Sequence, residues 1–240
     1  MIAGRPIDNR PQVSNLPYDM KLAIVGYGKM GRMVEALAPE YGFSVQVCLD
    51  MGDDLSKARG ANAAIEFTTP HAALGNIETL AALKVPTVVG TTGWLGELER
   101  ARAAVARHES ALVWSANFSI GVNVFLRVVG EAARLLEKEP QYEAWAWEIH
   151  HSAKKDAPSG TLLALVKQMR AAGYTRPVDT SSNRAGAHPG THEIGFDTGA
   201  DTITLRHTAR SREGFARGAL KAAQWIPGKK GVHEFKDIIF

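Results

Sequence analysis

The sequence predicts an α/β protein, a doubly wound parallel sheet joined to a smaller α+β unit. Three observations carry this expectation. From residue 20 to about residue 138, short apolar runs alternate with segments of helical spacing, the pattern of strands that run parallel because a helix returns the chain each time. The first run leads directly into a Gly-x-Gly-x-x-Gly turn. Beyond residue 142 the alternation gives way to period-2 strands around one further helix.

Residues 1–19 hold Pro6, Pro11 and Pro17 among Arg, Asn, Asp and Gln without apolar periodicity. They read as a disordered extension, with Met20 an alternative start. Leu22-Ala23-Ile24-Val25 is the first strand, followed by Gly26-Tyr27-Gly28-Lys29-Met30-Gly31 and a helical segment carrying Met33, Val34, Leu37 and Ala38. In this context Gly26 permits the tight turn, Gly28 lets the backbone approach a pyrophosphate, and Gly31 lets helix and strand pack closely. A second strand, Phe43 to Leu49, ends in Asp50, where a carboxylate accepts from adenosine ribose hydroxyls. Strand, glycines, helix and acid in this order predict a dinucleotide site rather than a plain glycine turn.

Three more strand–helix pairs follow: Ala64 to Phe67 with a helix from about His71, Thr87 to Val89 with one from about Gly96, and Leu112 to Trp114 with one from about Val122 to residue 138. The strands end in Thr68-Thr69-Pro70, Gly90-Thr91-Thr92-Gly93 and Ser115-Ala116-Asn117-Phe118-Ser119. Ligands of such sheets bind at the carboxyl ends of strands, so these loops are expected to line the nicotinamide half of the site. Ordinary turn chemistry is the competing role of any one of them.

In the second unit, Trp145, Trp147 and Ile149 alternate with Ala144, Ala146 and Glu148, which predicts a half-buried strand over 142–149. Leu162, Leu165, Val166 and Met169 follow helical spacing, which predicts a helix over 161–172 with Ser159 as its N-cap. Between them lies His150-His151-Ser152-Ala153-Lys154-Lys155-Asp156-Ala157-Pro158. The N–H groups of Gly160 and Thr161 at a helix start, with Lys154 beside them, suit a carboxylate or phosphate. His150 and His151 exchange protons near neutral pH. A solvated polar loop is the competing reading. A glycine-punctuated stretch then runs to about residue 192, followed by strands over Glu193 to Phe196 and Thr202 to His207 and a helix carrying Phe215, Ala219, Ala222, Ala223 and Ile226. Arg210 and Arg212 precede that helix and offer a bidentate carboxylate clamp, with a solvated surface role as the rival. The expected boundaries are 20–121 with 212–240 for the dinucleotide domain and 122–211 for the second.

Composition narrows the function. With 45% hydrophobic and 22% charged residues the chain has an ordinary globular balance, and a net charge of +3 from scattered basic residues does not imply nucleic acid. The single cysteine, Cys48, cannot form an intramolecular disulfide and fits a reducing, cytoplasmic setting. No apolar run reaches membrane-spanning length. No metal site is expected, because no cysteine lies near the histidine loop and no second His or carboxylate pair stands at recognisable ligand spacing.

Glu148-Ile149-His150-His151, followed by Lys154 and Asp156-Ala157-Pro158-Ser159-Gly160-Thr161, resembles the signature of the dihydrodipicolinate reductases (4-hydroxy-tetrahydrodipicolinate reductases) of the diaminopimelate and lysine pathway. The resemblance extends from Met20 over nearly the whole chain, through the glycine motif, Phe67-Thr68, Gly90-Thr91-Thr92-Gly93, Ala116 to Asn123, Ser211-Arg212, Phe215-Ala216 and Gly218-Ala219. It implies a Rossmann-type nucleotide domain, a smaller α+β domain for substrate binding and oligomerisation, and a homotetramer. It also implies hydride transfer from NADH or NADPH to a cyclic unsaturated dicarboxylate, with His150 at the position of the proton donor and Lys154 at that of the catalytic lysine. His151, Ser159, Gly160, Thr161 and Arg212 match substrate-binding positions. Gly26, Tyr27, Gly28, Lys29, Met30, Gly31, Asp50, Phe67, Thr68, Gly90, Thr91, Thr92, Ser115, Ala116, Asn117 and Phe118 match cofactor positions. One departure concerns the cofactor: many members carry an arginine after the acidic residue, where this chain has Met51. Another two-domain dehydrogenase of the aspartate dehydrogenase type, or a nucleotide-sensing protein without turnover, are the rival readings; the presence of both His150 and Lys154 weighs against the sensor.

Overall fold

The computed structural model describes residues 20–240, so the expectation for residues 1–19 lies outside the described residues. The first sheet has six strands in the order β10-β5-β4-β3-β1-β2: β1 (Met20–Val25), β2 (Phe43–Leu49), β3 (Ala63–Glu66), β4 (Thr87–Val89), β5 (Ala111–Trp114) and β10 (Gly231–Glu234). β1 pairs in parallel with β2 on one side and β3 on the other, and β3 with β4. The direction of sheet growth thus reverses at β1, and the carboxyl ends of β1 and β3 open the crevice in which such sheets bind ligands. The helices between strands are α1 (Lys29–Leu37), α2 (Pro70–Ala82) and α3 (Leu98–Arg107), the last preceded by a 3-10 turn over Leu95–Glu97. Ala23, Val25, Leu49, Ala64, Leu80 and Val85 form one of the cores that close on this sheet.

The glycine motif is built for two different reasons. Gly26 has φ +94°, and a Cβ there would lie 2.0 Å from the Phe67 carbonyl oxygen; a Cβ on Gly31 would lie 2.3 Å from the carbonyl oxygen of Gly26. Packing therefore requires both. Gly28, with φ −82°, has nothing within 4 Å of a built Cβ. The fold leaves that position open.

After α4 (Ile120–Leu136) comes a mixed sheet of order β7-β6-β8-β9. Its strands are β6 (Glu143–His150), β7 (Val178–Arg184), β8 (Thr191–Asp197) and β9 (Thr202–Thr208). β6 runs parallel to β7 and antiparallel to β8, and β8 antiparallel to β9. The inner face of β6 carries Ala144, Ala146, Glu148 and His150, all buried, while Trp145, Trp147 and Ile149 on the other face are half-buried. Phe125, Val129 and Ala133 of α4, with Leu162, Leu165 and Met169 of α5 (Gly160–Ala171), pack onto Ala144, Ala146, Ile194 and Phe196 of the sheet. Ala at two successive inner positions of the strand gives both helices room to approach.

Most expected elements are present. β7 was not anticipated: Asp179-Thr180-Ser181-Ser182-Asn183-Arg184 has no apolar alternation, and as an edge strand it needs none. The short edge strand β10 and α7 (Phe235–Ile238) were also unanticipated. By their contacts the described residues group as those up to 112 with 223–232, and 113–222 with 233–240. Helix α6 (Glu213–Trp225) joins the second group up to Ala222. Its Gly218 lies so near the Phe118 carbonyl that a Cβ would come within 1.7 Å of that oxygen, and Phe118 packs on Phe235 with ring centroids 4.7 Å apart. That close approach binds segment 113–118 to α6. No helix among the described residues is long and apolar enough to cross a membrane.

The two glycine roles are separable by mutation. Gly26→Ala is expected to lower unfolding free energy by about 2 kcal/mol or more, from strain at positive φ and overpacking, whereas Gly28→Ala should stay within about 0.5 kcal/mol of wild type. Urea denaturation midpoints of the two variants check this. Equal losses would contradict it.

Candidate active site

At the carboxyl ends of β1 and β3 a cavity of about 380 Å³ is lined by Gly26, Gly28, Asp50, Met51, Gly52, Asp53, Phe67, Thr68 and Thr69, among others. Gly28 is the N-cap of α1 and makes no side-chain capping bond, so open space meets a helix start at this wall. That combination fits the pyrophosphate of a dinucleotide. Asp50 and Asp53 give the cavity two carboxylates, and no Lys or Arg lines it. Asp50 is tied to its own turn: its Oδ1 accepts from Met51 N at 2.9 Å, and its N–H donates to Asp53 Oδ2 at 2.8 Å.

The other expected cofactor residues lie off this wall. Tyr27 donates its hydroxyl to Glu35 and lies under the Arg32 guanidinium. Lys29, Met30 and Gly31 form the first turn of α1. Gly90 is required because a Cβ would enter the Phe67 ring, and Thr91 Oγ1 accepts from Thr68 N at 2.7 Å; Thr92 is exposed. Ser115 Oγ bonds the carbonyl of Asn117 at 2.8 Å, and Asn117 Oδ1 accepts from Ser119 N at 2.9 Å. Ala116 is exposed and Phe118 buried. These residues of 115–118 group with the second unit.

The histidine loop runs from the end of β6 to the start of α5. Ser159 is the N-cap, its hydroxyl accepting from Leu162 N at 3.2 Å. Gly160 is exposed and Thr161 half-buried. Lys154 Nζ donates to Asp156 Oδ1 at 2.7 Å and Oδ2 at 3.0 Å. The Asp156 carboxyl is held below its ordinary range, first by Lys154 and, among smaller contributions, by the Gly160 N–H. The loop's own carboxylate thus rests against the lysine and the helix start. His150 is buried and His151 half-buried. A Cβ on Gly190 (φ +139°) would sit 2.9 Å from His150 Nε2, so only glycine there leaves the imidazole its space.

Behind the loop stands Glu148, with no exposed surface. Its Oε1 accepts from Ser159 N at 2.8 Å, Ser182 Oγ at 2.9 Å and Arg184 Nη2 at 2.9 Å, and its Oε2 accepts from the Ser159 hydroxyl. His150 Nδ1 and His192 Nε2 lie 3.5 and 3.4 Å from Oε2. Burial alone would raise the Glu148 pKa, but the bonds from Ser159, Arg184 and Ser182 outweigh it and hold it at about 2. Burial, then the nearby His150, pushes His192 down to about 4 despite Glu148. Burial also lowers His150; Glu148 opposes this, while Lys154 and Arg184 add to it. Local spacing gave no sign that Glu148, His150 and His192 meet; the sheet brings one ligand-type atom of each within 4.8 Å of the others. Serine and arginine donors already occupy the carboxylate.

The chain matches known proteins along its whole described length. A family model described as dihydrodipicolinate reductase, N-terminus, matches residues 20–118, and one described as dihydrodipicolinate reductase, C-terminus, matches residues 121–239. The chain belongs to the dihydrodipicolinate reductase family. A 4-hydroxy-tetrahydrodipicolinate reductase of Christiangramia forsetii is 34% identical, over 92% of this chain and 98% of that protein. The enzyme of the same name from Thiobacillus denitrificans is 32% identical with the same coverages. A dipicolinate-bound dihydrodipicolinate reductase from Paenisporosarcina sp. TG-14 shares the fold, with a TM-score of 0.76 at 20% identity over 92% of this chain and 100% of that one. The reaction is accordingly the NAD(P)H-dependent reduction of 4-hydroxy-tetrahydrodipicolinate to tetrahydrodipicolinate, a step of diaminopimelate and lysine biosynthesis.

Within this reductase, four residues of the site cluster escaped sequence reasoning: Ser182, Arg184, Gly190 and His192. None stands in a local motif. Ser182 and His192 face Glu148 only through β-sheet register. Arg212, matched to a substrate position, is exposed; a separate cavity of about 260 Å³ in the second unit is lined by Arg210, Arg217 and His207 but not by Arg212.

The buried cluster sets an acid limit to the reductase's stability. His192 takes up a proton in the unfolded chain as pH falls through 6.5 but in the folded protein only near 4, so its contribution is full above 6.5 and lost towards 4. Glu148 adds a second loss as pH falls from 4.5 towards 2. Unfolding free energy, and melting temperature with it, should therefore drop steadily below pH 6.5, the His192 part of the free-energy loss being no more than the roughly 1.4 kcal/mol per pH unit that one proton allows. His192→Gln should flatten the profile between pH 6.5 and 4. An unchanged slope in that variant would refute the assignment.

Proposed function

We propose that the loop between β6 and α5 receives one substrate carboxylate and supplies the proton of the reduction. One observation carries the reading: the carboxylate of Asp156 already rests on Lys154 Nζ, beside the N-terminus of α5. A substrate carboxylate there replaces Asp156, held by Lys154, the Gly160 and Thr161 N–H groups and the helix dipole. His151 and Arg212 are the further polar groups for the dicarboxylate. When bound at the glycine turn, NADH or NADPH supplies the hydride. In net terms the reduction adds that hydride and one proton, while the substrate hydroxyl and one ring hydrogen are lost together as water.

Burial and the charges of Lys154 and Arg184 favour neutral His150, so we assign the proton to the Lys154 ammonium and to His150 the role of shaping the pocket and returning the proton. Lys154→Ala is expected to lower kcat/KM by at least about a hundredfold, the lower range for losing a general acid, and His150→Ala to act mainly on kcat. Steady-state kinetics with freshly condensed aspartate semialdehyde and pyruvate as substrate source make the test. Near wild-type rates in both variants would refute the site. A kcat that rises as pH falls from 7.5 to 5.5 would move the proton to His150.

For the cofactor we infer NADH use equal to or better than NADPH. Asp50 and Asp53 line the cavity without a cation, and a 2′-phosphate is repelled by carboxylates. Lys29, exposed at the first position of α1, is the residue whose flexible stem brings a charge to that phosphate. Lys29→Ala should lose kcat/KM with NADPH about tenfold more than with NADH, the equivalent of 1.4 kcal/mol. Equal losses at fixed ionic strength would refute this.

The half-buried Trp145, Trp147 and Ile149 on the outer face of the second sheet support a homotetramer joined through that face, in the cytoplasm, where reduced nicotinamide cofactors are available and a lone Cys48 stays reduced.

A further inference from the structure

We propose that Glu148 is a positioning residue for substrate binding: its buried carboxylate holds the start of α5, and the loop before it, in the shape that receives the substrate's carboxylate. The proposal rests on the site assignment above. Glu148 lies one pleat before His150 on the inner face of β6, where the two preceding inner positions are Ala146 and Ala144. On that apolar face its oxygens accept from Ser159 N–H, the Ser159 hydroxyl, Ser182 and Arg184. Arg184 Nη2 also donates to the Asp156 carbonyl. One carboxylate and one guanidinium therefore grip both ends of segment 156–159, the stretch that separates Lys154 from Gly160 and Thr161.

A helix cap does not need this charge. The Ser159 hydroxyl already accepts from Leu162 N, which is all an N-cap serine has to do, and a carboxylate without solvent is costly to keep unless every lone pair is engaged. What the charge adds is direction. With the Ser159 N–H turned inward to Glu148 Oε1, the following N–H groups at the start of α5 are left for the loop side, where Gly160 has open space around it. Glu148, His150 and His192 have the spacing of metal ligands, yet the bonds from Ser159, Ser182 and Arg184 use the carboxylate, which makes the cluster a clamp.

The test is calorimetric titration of pyridine-2,6-dicarboxylate, a non-reducible dicarboxylate, into the NADH-loaded enzyme, together with steady-state kinetics and NADH affinity. Glu148→Gln keeps the shape but puts an amide NH2 in place of one of the oxygens on which donors now converge. We expect its dicarboxylate affinity to fall at least about tenfold, KM to rise by a similar factor and kcat to fall less, with NADH affinity within about twofold of wild type. Glu148→Gln combined with Ser159→Ala should be no weaker than Glu148→Gln alone, because both break one unit. A residue that only stabilised the fold would lower the melting temperature and leave KM of the folded enzyme unchanged, so a folded Glu148→Gln with dicarboxylate affinity and KM within twofold overturns the proposal. If Glu148→Gln does not fold, Ser182→Ala, which removes one donor and leaves the carboxylate, is expected to raise KM about threefold, and an unchanged KM there overturns it equally. Lys154→Ala separates the two levels. If that variant loses affinity while Glu148→Gln does not, the clamp alone fails; if it too binds like wild type, the site reading fails and the clamp falls with it.

Discussion

A charge without solvent sits on the inner face of the second sheet, and much of the local sequence follows from it. Leaving a buried carboxylate unpaired costs several kcal/mol, so Glu148 is tolerable only because Ser159, Ser182 and Arg184 converge on it from the helix start and the neighbouring strand. Those partners in turn bind the chain to itself: the loop to the sheet through Arg184 and Asp156, and α5 to β6 through Ser159. The inner face of the sheet changes character along its length as a result, apolar at Ala144, Ala146, Ile194 and Phe196, polar at Glu148, His150 and His192.

The same physics is used differently at two helix starts. At the nucleotide, Gly28 offers an open helix start, kept clear by having no side chain at all. At the loop before α5, the helix start is held from beneath by a buried acid, and the Asp156 carboxylate rests on Lys154 beside it. Backbone N–H groups at a helix N-terminus suit both ligands because they bring partial positive charge in a fixed direction. The two helix starts differ in charge: Asp50 and Asp53 line the cavity at Gly28, while Lys154 and Lys155 stand in the loop before α5. Glycine is used against sterics at Gly190, where it makes room for the His150 imidazole rather than for the backbone.

The strand ladder of the first unit, the glycine turn with its helix, the acid after the second strand and the strand–loop–helix around His150 were all legible in the sequence. Each is a local pattern: period-2 or continuous apolar runs for strands, 3.6-residue spacing for helices, Ser before an apolar helical run for the cap. The residues matched to catalytic and substrate positions within those patterns, His150, Lys154, Ser159 and Gly160, stand within eleven positions of one another, so the linear order already assembles them.

Tertiary structure alone decided what stands behind them. Ser182, Arg184 and His192 lie more than thirty positions from Glu148, on a polar edge strand without an apolar signature and on a strand whose inner face is otherwise apolar, and only register sets Ser182 and His192 opposite it and Arg184 opposite His150. The placement of α6 with the second unit has the same origin, the contact of Gly218 with the Phe118 carbonyl. Sequence determines what can be computed over one or two turns of chain, where geometry is fixed by covalent connection. Which distant polar groups meet a buried charge depends on strand pairing, and the energy that selects it, the cost of leaving that charge unpaired, exists only once the sheet has formed.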